Sequence, residues 1–212
     1  MKKIAINGMG RIGRAALKLL IDNPEMEITA VNDIASIDDI AYLLKYDSVY
    51  GIYENPVEVN ENNLVINGKS IPFYSEKDPS QLPWKALGID IVIESTGFFT
   101  KEDDAKKHFE AGAKRVVLSG PTSSDGVPTI VHGVNTKDGD TAIFSCASCT
   151  TNNISPIIEI LGRRIGIEKA IMTTIHANTS SNNIVDSPAS KKRMGRSGLN
   201  NLIPTTTGAA VA

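Results

Sequence analysis

The chain opens with Met1-Lys2-Lys3-Ile4-Ala5-Ile6-Asn7-Gly8-Met9-Gly10-Arg11-Ile12-Gly13, an apolar run that leads directly into three spaced glycines. Residues 1–6 predict a buried strand, residues 14–21 a helix and residues 27–31 a second strand. Strand, glycine turn, helix and strand follow one another in this order in dinucleotide-binding folds. We therefore predict an α/β protein with a Rossmann-type, doubly wound parallel sheet.

Each glycine of the turn has a distinct task in such a fold. Gly8 permits the tight turn, Gly10 lets the backbone approach a pyrophosphate, and Gly13 lets helix and strand pack closely. The N-terminus of the helix then offers its free N–H groups to the phosphates. Asp33 lies 20 residues beyond Gly13 and can accept hydrogen bonds from ribose hydroxyls, while its charge would repel a 2′-phosphate. The sequence therefore predicts NAD, rather than NADP, as the cofactor.

The rest of the first two thirds of the chain continues the alternation of helices and strands. The apolar and polar patterns predict helices at 38–45 and 101–111 and strands at 89–94, 115–118, 129–131 and 142–145. Residues 56–59, 63–66 and 69–73 predict antiparallel strands, with Asn67-Gly68 as a tight hairpin turn. We expect this hairpin to be an insertion in a nucleotide-binding domain of residues 1–148.

A second set of residues points to a nucleophile. In Ser148-Cys149-Thr150-Thr151-Asn152 a thiol stands where an apolar helix is predicted to begin, with Ser148 as its N-cap. The positive end of a helix favours thiolate over thiol. His176 closes the strand-like run 170–175 and could act as the base of a Cys/His couple. The alternative is a small buried cysteine and a histidine bound to backbone.

Together, these motifs make the chain resemble a known family, the phosphorylating glyceraldehyde-3-phosphate dehydrogenases. The likeness covers essentially all 212 residues. It is carried by the glycine turn and by Leu44-Lys45-Tyr46-Asp47-Ser48, Glu94-Ser95-Thr96-Gly97-Phe98-Phe99, Ala147 through Asn152, Thr173-Thr174-Ile175-His176-Ala177 and Ile203-Pro204-Thr205-Thr206-Thr207-Gly208-Ala209-Ala210.

The resemblance implies an activity and its participants. Cys149 would attack the aldehyde of glyceraldehyde 3-phosphate, His176 would move protons, NAD would be reduced, and inorganic phosphate would release 1,3-bisphosphoglycerate. No metal is implied. The positions that match cofactor contacts of the family are Gly8, Gly10, Arg11, Ile12, Gly13, Asp33, Lys77 and Ser119. Those that match its anion sites are Ser148, Thr150, Thr179, Thr207 and Gly208.

Composition agrees with a cytoplasmic enzyme. The 22 Lys and Arg set against 24 Asp and Glu give a formal charge of −2, which favours neither nucleic acid nor an anionic membrane as partner. No secretory leader is visible at the start. Cys146 and Cys149 are expected to be thiols, with Cys146 in core packing.

Residues 149–212 are predicted to be the first part of an α+β catalytic domain that is too short to close a core alone. The polar loop 178–201 would, by the resemblance, line the neighbouring subunit's cofactor site in a homotetramer. Two alternatives to triose phosphate oxidation stay open at this point. One is oxidation of erythrose 4-phosphate by the same covalent route, and the other is a truncated NAD-binding chain without turnover.

Overall fold

The computed structural model of the chain describes residues 1–135 and 141–212. The chain divides into two compact units, residues 1–148 and residues 149–212. None of the helices in these described parts is long and apolar enough to cross a membrane. Cofactor binding by the first unit and catalysis by the second stay predictions.

The first unit is built on an eight-stranded sheet. Ten strands are described in this unit: β1 (Lys2–Asn7), β2 (Met26–Asn32), β3 (Tyr46–Asp47), β4 (Gly51–Ile52), β5 (Val57–Asn60), β6 (Asn63–Ile66), β7 (Lys69–Tyr74), β8 (Ile91–Glu94), β9 (Arg115–Leu118) and β10 (Ile143–Ser145). Strands β3 and β4 form a separate two-stranded ribbon, and the other eight form the sheet. The sheet order is β10-β9-β8-β1-β2-β7-β6-β5, parallel from β10 to β7 and antiparallel from β7 to β5. The predicted fold class is confirmed.

The helices connect these strands. They are α1 (Arg11–Leu20), α2 (Ile37–Lys45), α3 (Trp84–Leu87), α4 (Glu102–Glu110) and, in the second unit, α5 (Cys149–Ile165). Helix α1 begins three residues before the predicted start, because Gly10 is its N-cap and the glycine turn supplies its first turn. Helix α2 is capped by the Ser36 side chain, which accepts the N–H of Asp39.

The core of the first unit lies around the central strands. Strand β1 has four consecutive buried residues, as expected for a parallel strand covered on both faces. Leu17 of α1, Leu44 of α2 and Ile71 of β7 pack with β1 and β2 in one apolar cluster. Because β1 is central and pairs with β2 and β8, its carboxyl end carries the glycine turn to the middle of the sheet edge.

The predicted hairpin is confirmed in its strands and in its turn. Asn67 and Gly68 both have positive φ, 50° and 77°, as a two-residue turn between twisted antiparallel strands requires. Strand β7 then pairs with β6 on one side and with β2 on the other. The hairpin therefore extends the parallel sheet instead of forming a separate layer.

Two strand predictions are wrong. Residues 170–175 form no strand: Ile171 and Ile175 are 99% and 81% exposed, and no described segment pairs with this run. A strand exists only by its ladder, so an apolar pattern without a neighbouring strand does not form one. Residues 129–131 make only a single bridge, from Thr129 to Ser145, because the chain turns away where the N–H of Val134 reaches the carbonyl of Val131.

The second unit is described over its whole length. It consists of α5 followed by largely irregular backbone with one short 3₁₀ turn at Lys192–Gly195. The helix predicted after Cys149 is confirmed, and it contains Pro156. The three apolar clusters of the described residues all lie in the first unit.

Candidate functional site

The glycine turn of the first unit is fixed by close backbone approach. Gly8 has φ +93°, and a Cβ placed on it would lie 2.5 Å from the N of Thr96. A Cβ on Gly13 would lie 1.9 Å from the carbonyl oxygen of Gly8. A Cβ on Gly10, in contrast, meets nothing within 4 Å. Gly8 and Gly13 are therefore required by packing of the protein itself, whereas Gly10 faces open space.

That open space belongs to a cavity of about 300 Å³ at the carboxyl ends of the parallel strands, which we call the nucleotide cavity. Ligands bind at this edge in open α/β sheets. It brings together Gly8, Gly10, Asp33 and Lys77 of the predicted cofactor residues. Its other lining residues are Asn7, Asn32, Ile34, Glu76, Ser95, Thr96, Phe98 and Phe99.

Asp33 is tied to the backbone around it. Its Oδ2 accepts the N–H of Met9 at 2.6 Å, and its Oδ1 accepts the N–H of Ala35 at 2.9 Å. Each carboxylate oxygen has a second lone pair, so both can still accept a hydroxyl of a ligand. Asp33 thus holds the glycine turn against the end of β2 and presents negative charge to the nucleotide cavity.

Four predicted cofactor residues do not line the nucleotide cavity: Gly13, whose role in packing is described above, and Arg11, Ile12 and Ser119. Arg11 points its guanidinium to Asp47, with Nη1 3.1 Å from both carboxylate oxygens. The N–H groups of Tyr50 and Val49, together with Arg11, hold the pKa of Asp47 well below its usual range. Ile12 is 54% exposed. Ser119 donates its N–H to the carbonyl of Glu94 at 2.9 Å, at the end of β9.

Several polar residues that were not predicted as site residues lie around the nucleotide cavity. Asn7 and Asn32 end the neighbouring strands β1 and β2 and are both buried. The Ser95 hydroxyl, directly after β8, donates to the carbonyl of Gly8 at 2.7 Å and so ties the glycine turn to the end of β8. The available signal was positional: two asparagines each end a buried parallel strand at the edge where ligands bind.

In the second unit, the thiol and the imidazole predicted to act together are in contact. Cys149 Sγ lies 3.0 Å from Nε2 of His176. The other ring nitrogen, Nδ1, is 2.6 Å from the carbonyl oxygen of Ala177. Because a carbonyl only accepts, Nδ1 carries a hydrogen and donates it. The ring is therefore oriented with Nε2 toward the sulfur, and Nε2 is the atom that can exchange a proton with it.

The contact changes the acidity of both groups. The hydrogen bond from His176 lowers the pKa of the Cys149 thiol, and the N–H and hydroxyl of Thr150 add to this effect. The hydrogen bond to Ala177, followed by the contact with Cys149, raises the pKa of His176. These opposite shifts favour thiolate and imidazolium over thiol and imidazole. The alternative of a buried, inert cysteine is wrong for Cys149, which is exposed.

The predicted anion-binding residues are only partly brought together. Thr179 and Thr207 line one cavity of about 670 Å³ with His176. Thr179 is fixed there, because its N–H and hydroxyl both donate to Oδ1 of Asn182 at 2.9 and 3.2 Å. Gly208 does not line this cavity and accepts the N–H groups of Val211 and Ala212. Ser148 is the last residue of the first unit, and its capping role stays a prediction.

Two further observations concern cysteine and metal chemistry. Cys146 is half-buried, and burial raises the pKa of its thiol, so it is the less reactive of the two cysteines. Among residues 1–135 and 141–212 there is no group of three or more His, Cys, Asp and Glu side chains placed to hold a metal ion.

The sheet order, the glycine turn and the nucleotide cavity together define a dinucleotide-binding α/β protein. A family model described as "Glyceraldehyde 3-phosphate dehydrogenase, NAD binding domain" matches residues 2–102. A second, "Glyceraldehyde 3-phosphate dehydrogenase, C-terminal domain", matches residues 148–212. The chain belongs to the glyceraldehyde-3-phosphate dehydrogenase family, and the match to its NAD binding domain confirms NAD as the cofactor class.

Individual relatives agree with the family models. "Glyceraldehyde-3-phosphate dehydrogenase 1" of Bacillus subtilis and "Glyceraldehyde-3-phosphate dehydrogenase" of Geobacillus stearothermophilus are each 47% identical over 213 residues, 99% of this chain and 63% of the relative. "Glyceraldehyde-3-phosphate dehydrogenase" of Buchnera aphidicola is 50% identical over 99% of this chain and 64% of the relative. The chain thus spans somewhat less than two thirds of the length of these relatives.

The residues of the nucleotide cavity fit NAD. Gly10 lines this cavity and a Cβ placed on it meets no atom within 4 Å, so the backbone beside the N-terminus of α1 is open to a ligand. Asp33 supplies a negative acceptor suited to ribose hydroxyls, and Phe98 and Phe99 add apolar surface.

Proposed function

We propose that the protein oxidises glyceraldehyde 3-phosphate to 1,3-bisphosphoglycerate with NAD and inorganic phosphate. The observation that carries this proposal is the 3.0 Å contact between Cys149 Sγ and His176 Nε2 in a member of this family. We further propose that it works in the cytoplasm and as a homotetramer, as the family resemblance implies.

In the first step, the Cys149 thiolate attacks the aldehyde carbon and forms a carbon–sulfur bond. The aldehyde oxygen gains negative charge as its double bond opens. Nε2 of His176 gives its proton to that oxygen, which produces a thiohemiacetal beside a neutral imidazole. The bond from Nδ1 to the carbonyl of Ala177 keeps the ring in place during this transfer.

NAD, when bound, supplies the acceptor for the hydride that leaves the thiohemiacetal carbon. As that carbon–hydrogen bond breaks, Nε2 of His176 takes the hydroxyl proton back, and the carbon–oxygen double bond of a thioester forms. The chain's part in NAD binding falls to the helix N-terminus after Gly10 and to Asp33. Arg11, Ile12, Lys77 and Ser119 stay predicted contacts.

In the last step, inorganic phosphate attacks the thioester carbon and expels the Cys149 thiolate. The imidazolium of His176 stabilises the departing sulfur by the same contact that lowers the pKa of the thiol. Thr150, Thr179 and Thr207, with Ser148 and the backbone of Gly208, are proposed to hold the two phosphate groups, Thr179 by turning its hydroxyl hydrogen from Asn182 to a phosphate oxygen.

The test is NADH absorbance on mixing the 212-residue chain with NAD and glyceraldehyde 3-phosphate, with and without inorganic phosphate. We expect phosphate-dependent NADH formation, and none from Cys149→Ser although that variant still binds NAD. Equal NADH formation by the wild type and Cys149→Ser would contradict the covalent route.

Two alternatives give different results in the same assay. With erythrose 4-phosphate in place of glyceraldehyde 3-phosphate, an erythrose 4-phosphate dehydrogenase would form NADH without added phosphate, with water as the acceptor of the acyl group. An NAD-binding chain without turnover would show calorimetric NAD binding and no NADH. The exposed apolar side chains of the second unit, Ile165, Ile171 and Ile175, are the observation in favour of this last alternative.

A further inference from the structure

A chain of buried polar side chains crosses the first unit just below the nucleotide cavity. We call it the buried polar chain; its members are Trp84, His108, Glu94, Asn7 and Asn32, none more than 3% exposed. Buried charge is costly unless it is fully hydrogen-bonded. Glu94, His108 and Trp84 do not line the cavity, and the proposed reaction uses none of them.

The protonation of His108 follows from its neighbours. Trp84 Nε1 lies 3.1 Å from Nδ1 of His108, and an indole N–H can only donate. Nδ1 is therefore an acceptor without a hydrogen, and Nε2 carries the ring's proton. Nε2 lies 3.0 Å from Oε2 of Glu94 and donates to it. The imidazole is thus neutral and in one defined tautomer.

Glu94 receives four donors. Oε2 accepts from His108 and from Nδ2 of Asn7, the latter at 2.6 Å. Oε1 accepts the N–H of Thr96 at 2.8 Å and also the Thr96 hydroxyl. We infer that the group is a carboxylate: a protonated acid could direct its hydrogen only to the Thr96 hydroxyl, because the other three neighbours only donate.

The carboxylate sets the direction of the amides that line the cavity. Asn7 donates to Glu94, so its Oδ1 faces Asn32 and accepts Nδ2 of that residue at 2.7 Å. Oδ1 of Asn32 in turn accepts the N–H of Glu76 at 2.8 Å, and its Nδ2 also reaches the carbonyl of Glu76 at 2.9 Å. A carboxylate at one end and a backbone N–H at the other permit only this orientation.

We propose that Glu94 and His108 are positioning residues of the NAD site. Through Asn7, Asn32 and Thr96 they fix the ends of three parallel strands and the loop that carries Lys77, although neither touches the ligand. This inference rests on the proposed NAD site and adds that its geometry depends on the charge of Glu94.

The substitution Glu94→Gln tests this dependence. Its amide nitrogen must face either Asn7 and His108 or Thr96, and in each case it meets donors. Reversing Asn7 and Asn32 to compensate would turn the Asn32 amide nitrogen toward the N–H of Glu76. We expect NAD affinity, measured by calorimetry well below the unfolding temperature, to fall at least about tenfold. Glu110→Gln, the same change at an exposed position of α4, should leave it unchanged.

A pair of variants at His108 serves if Glu94→Gln does not fold. His108→Gln keeps an N–H donor toward Glu94, and His108→Leu removes it. NAD affinity should stay within about threefold of wild type in His108→Gln and fall at least about tenfold in His108→Leu. Imidazole ¹⁵N shifts of the wild type should show the neutral tautomer protonated at Nε2.

The outcomes separate this inference from the proposed function. Folded Glu94→Gln and His108→Leu proteins that bind NAD as tightly as wild type would overturn the inference and leave the proposed NAD site intact. An imidazolium at His108, or a proton on Nδ1, would also overturn it. A wild-type chain that binds no NAD would contradict the proposed function itself and the inference with it.

Discussion

At the scale of single residues, the reactivity of Cys149 is a property of its pair with His176. The sequence predicted a thiol in the first turn of a helix and a histidine further along, and both are there. It proposed them as a Cys/His couple but could not predict the geometry of their contact, since 27 positions separate them and the segment between the end of α5 and His176 forms no regular element. The orienting bond from His176 to Ala177 could not be predicted either.

The pair predicts the pH dependence of alkylation by iodoacetamide. Because the pKa of Cys149 is lowered, its thiolate should form, and its reaction rate should rise, at a pH below the ordinary cysteine value of about 8.5. His176→Asn should move this midpoint upward. Cys146, whose pKa is raised by burial, is the internal control and should react later. Mass spectrometry follows the alkylation of the two cysteines separately. A midpoint of Cys149 that His176→Asn leaves unchanged would show that the contact with His176 does not lower the pKa of the thiol.

Asp33 predicts the choice between the two nicotinamide cofactors. Asp33→Asn keeps the size of the side chain and removes its charge, so repulsion of a 2′-phosphate should fall. We expect the ratio of NADP to NAD affinity to rise about tenfold, largely through better NADP binding. Calorimetric titration of both cofactors against both proteins measures it. If both affinities fell by the same factor, Asp33 would act only by holding the N–H groups of Met9 and Ala35.

At the scale of elements, two residues of the glycine turn have different roles: Gly13 is needed for packing, and Gly10 is expected to be needed for NAD binding. In Gly13→Ala the new Cβ would overlap the carbonyl of Gly8, and we expect the free energy of unfolding to fall by roughly 1–3 kcal/mol. Gly10→Ala, its matched control, meets no protein atom and loses only the preference for glycine over alanine at the N-cap of α1, so that free energy should fall by no more than about 0.5–1 kcal/mol. Denaturant unfolding of both variants provides the comparison.

The same two variants should differ in NAD binding. Gly10→Ala places a methyl group in the nucleotide cavity and should weaken NAD at least about tenfold although the fold is intact. A Gly10→Ala protein with wild-type stability and wild-type affinity would mean that NAD does not approach this backbone.

The elements that could be predicted are those whose signal is local. Strands β1, β2, β6 and β9 carry apolar runs between turn residues, and Asn67-Gly68 requires a tight turn whatever surrounds it. The short ribbon of β3 and β4 and the one-turn helix α3 were not predicted, because such short elements depend on tertiary contacts. Residues 170–175 show the reverse error, a strand pattern without a partner strand.

At the scale of the whole molecule, the two units differ in how much apolar surface they bury. The apolar clusters of the described residues lie in the first unit, whereas α5 leaves Ile157, Ile160 and Ile165 exposed. The residues of the nucleotide cavity are thus held by a unit with a packed apolar core, whereas Cys149 lies in a helix and His176 in an irregular segment, both outside the apolar clusters.

This contrast predicts two classes of amide hydrogen exchange. Amides of β1, β2 and β8 should exchange only through global unfolding, because buried strands flank them. Amides of residues 166–212 should exchange orders of magnitude faster through local opening. Exchange measured by mass spectrometry should show the difference, and equal protection of both regions would contradict it.

Much of the candidate site could be named from the sequence, because family motifs mark Gly8, Gly10, Asp33 and Cys149 directly. The supporting residues could not. Glu94, His108 and Trp84 come from β8, α4 and α3, and only the parallel pairing of β8 with β1 brings Glu94 beside Asn7. Long-range register of this kind is set by the packed sheet and leaves no local pattern.

The covalent route through Cys149 is tested most directly by intact-protein mass spectrometry after mixing the chain with NAD and glyceraldehyde 3-phosphate in the absence of inorganic phosphate. We predict an added 3-phosphoglyceroyl group, mapped to Cys149, that disappears with recovery of the free thiol when phosphate is supplied. NADH formation without any adduct on Cys149, or no adduct and no NADH under these conditions, would contradict the account.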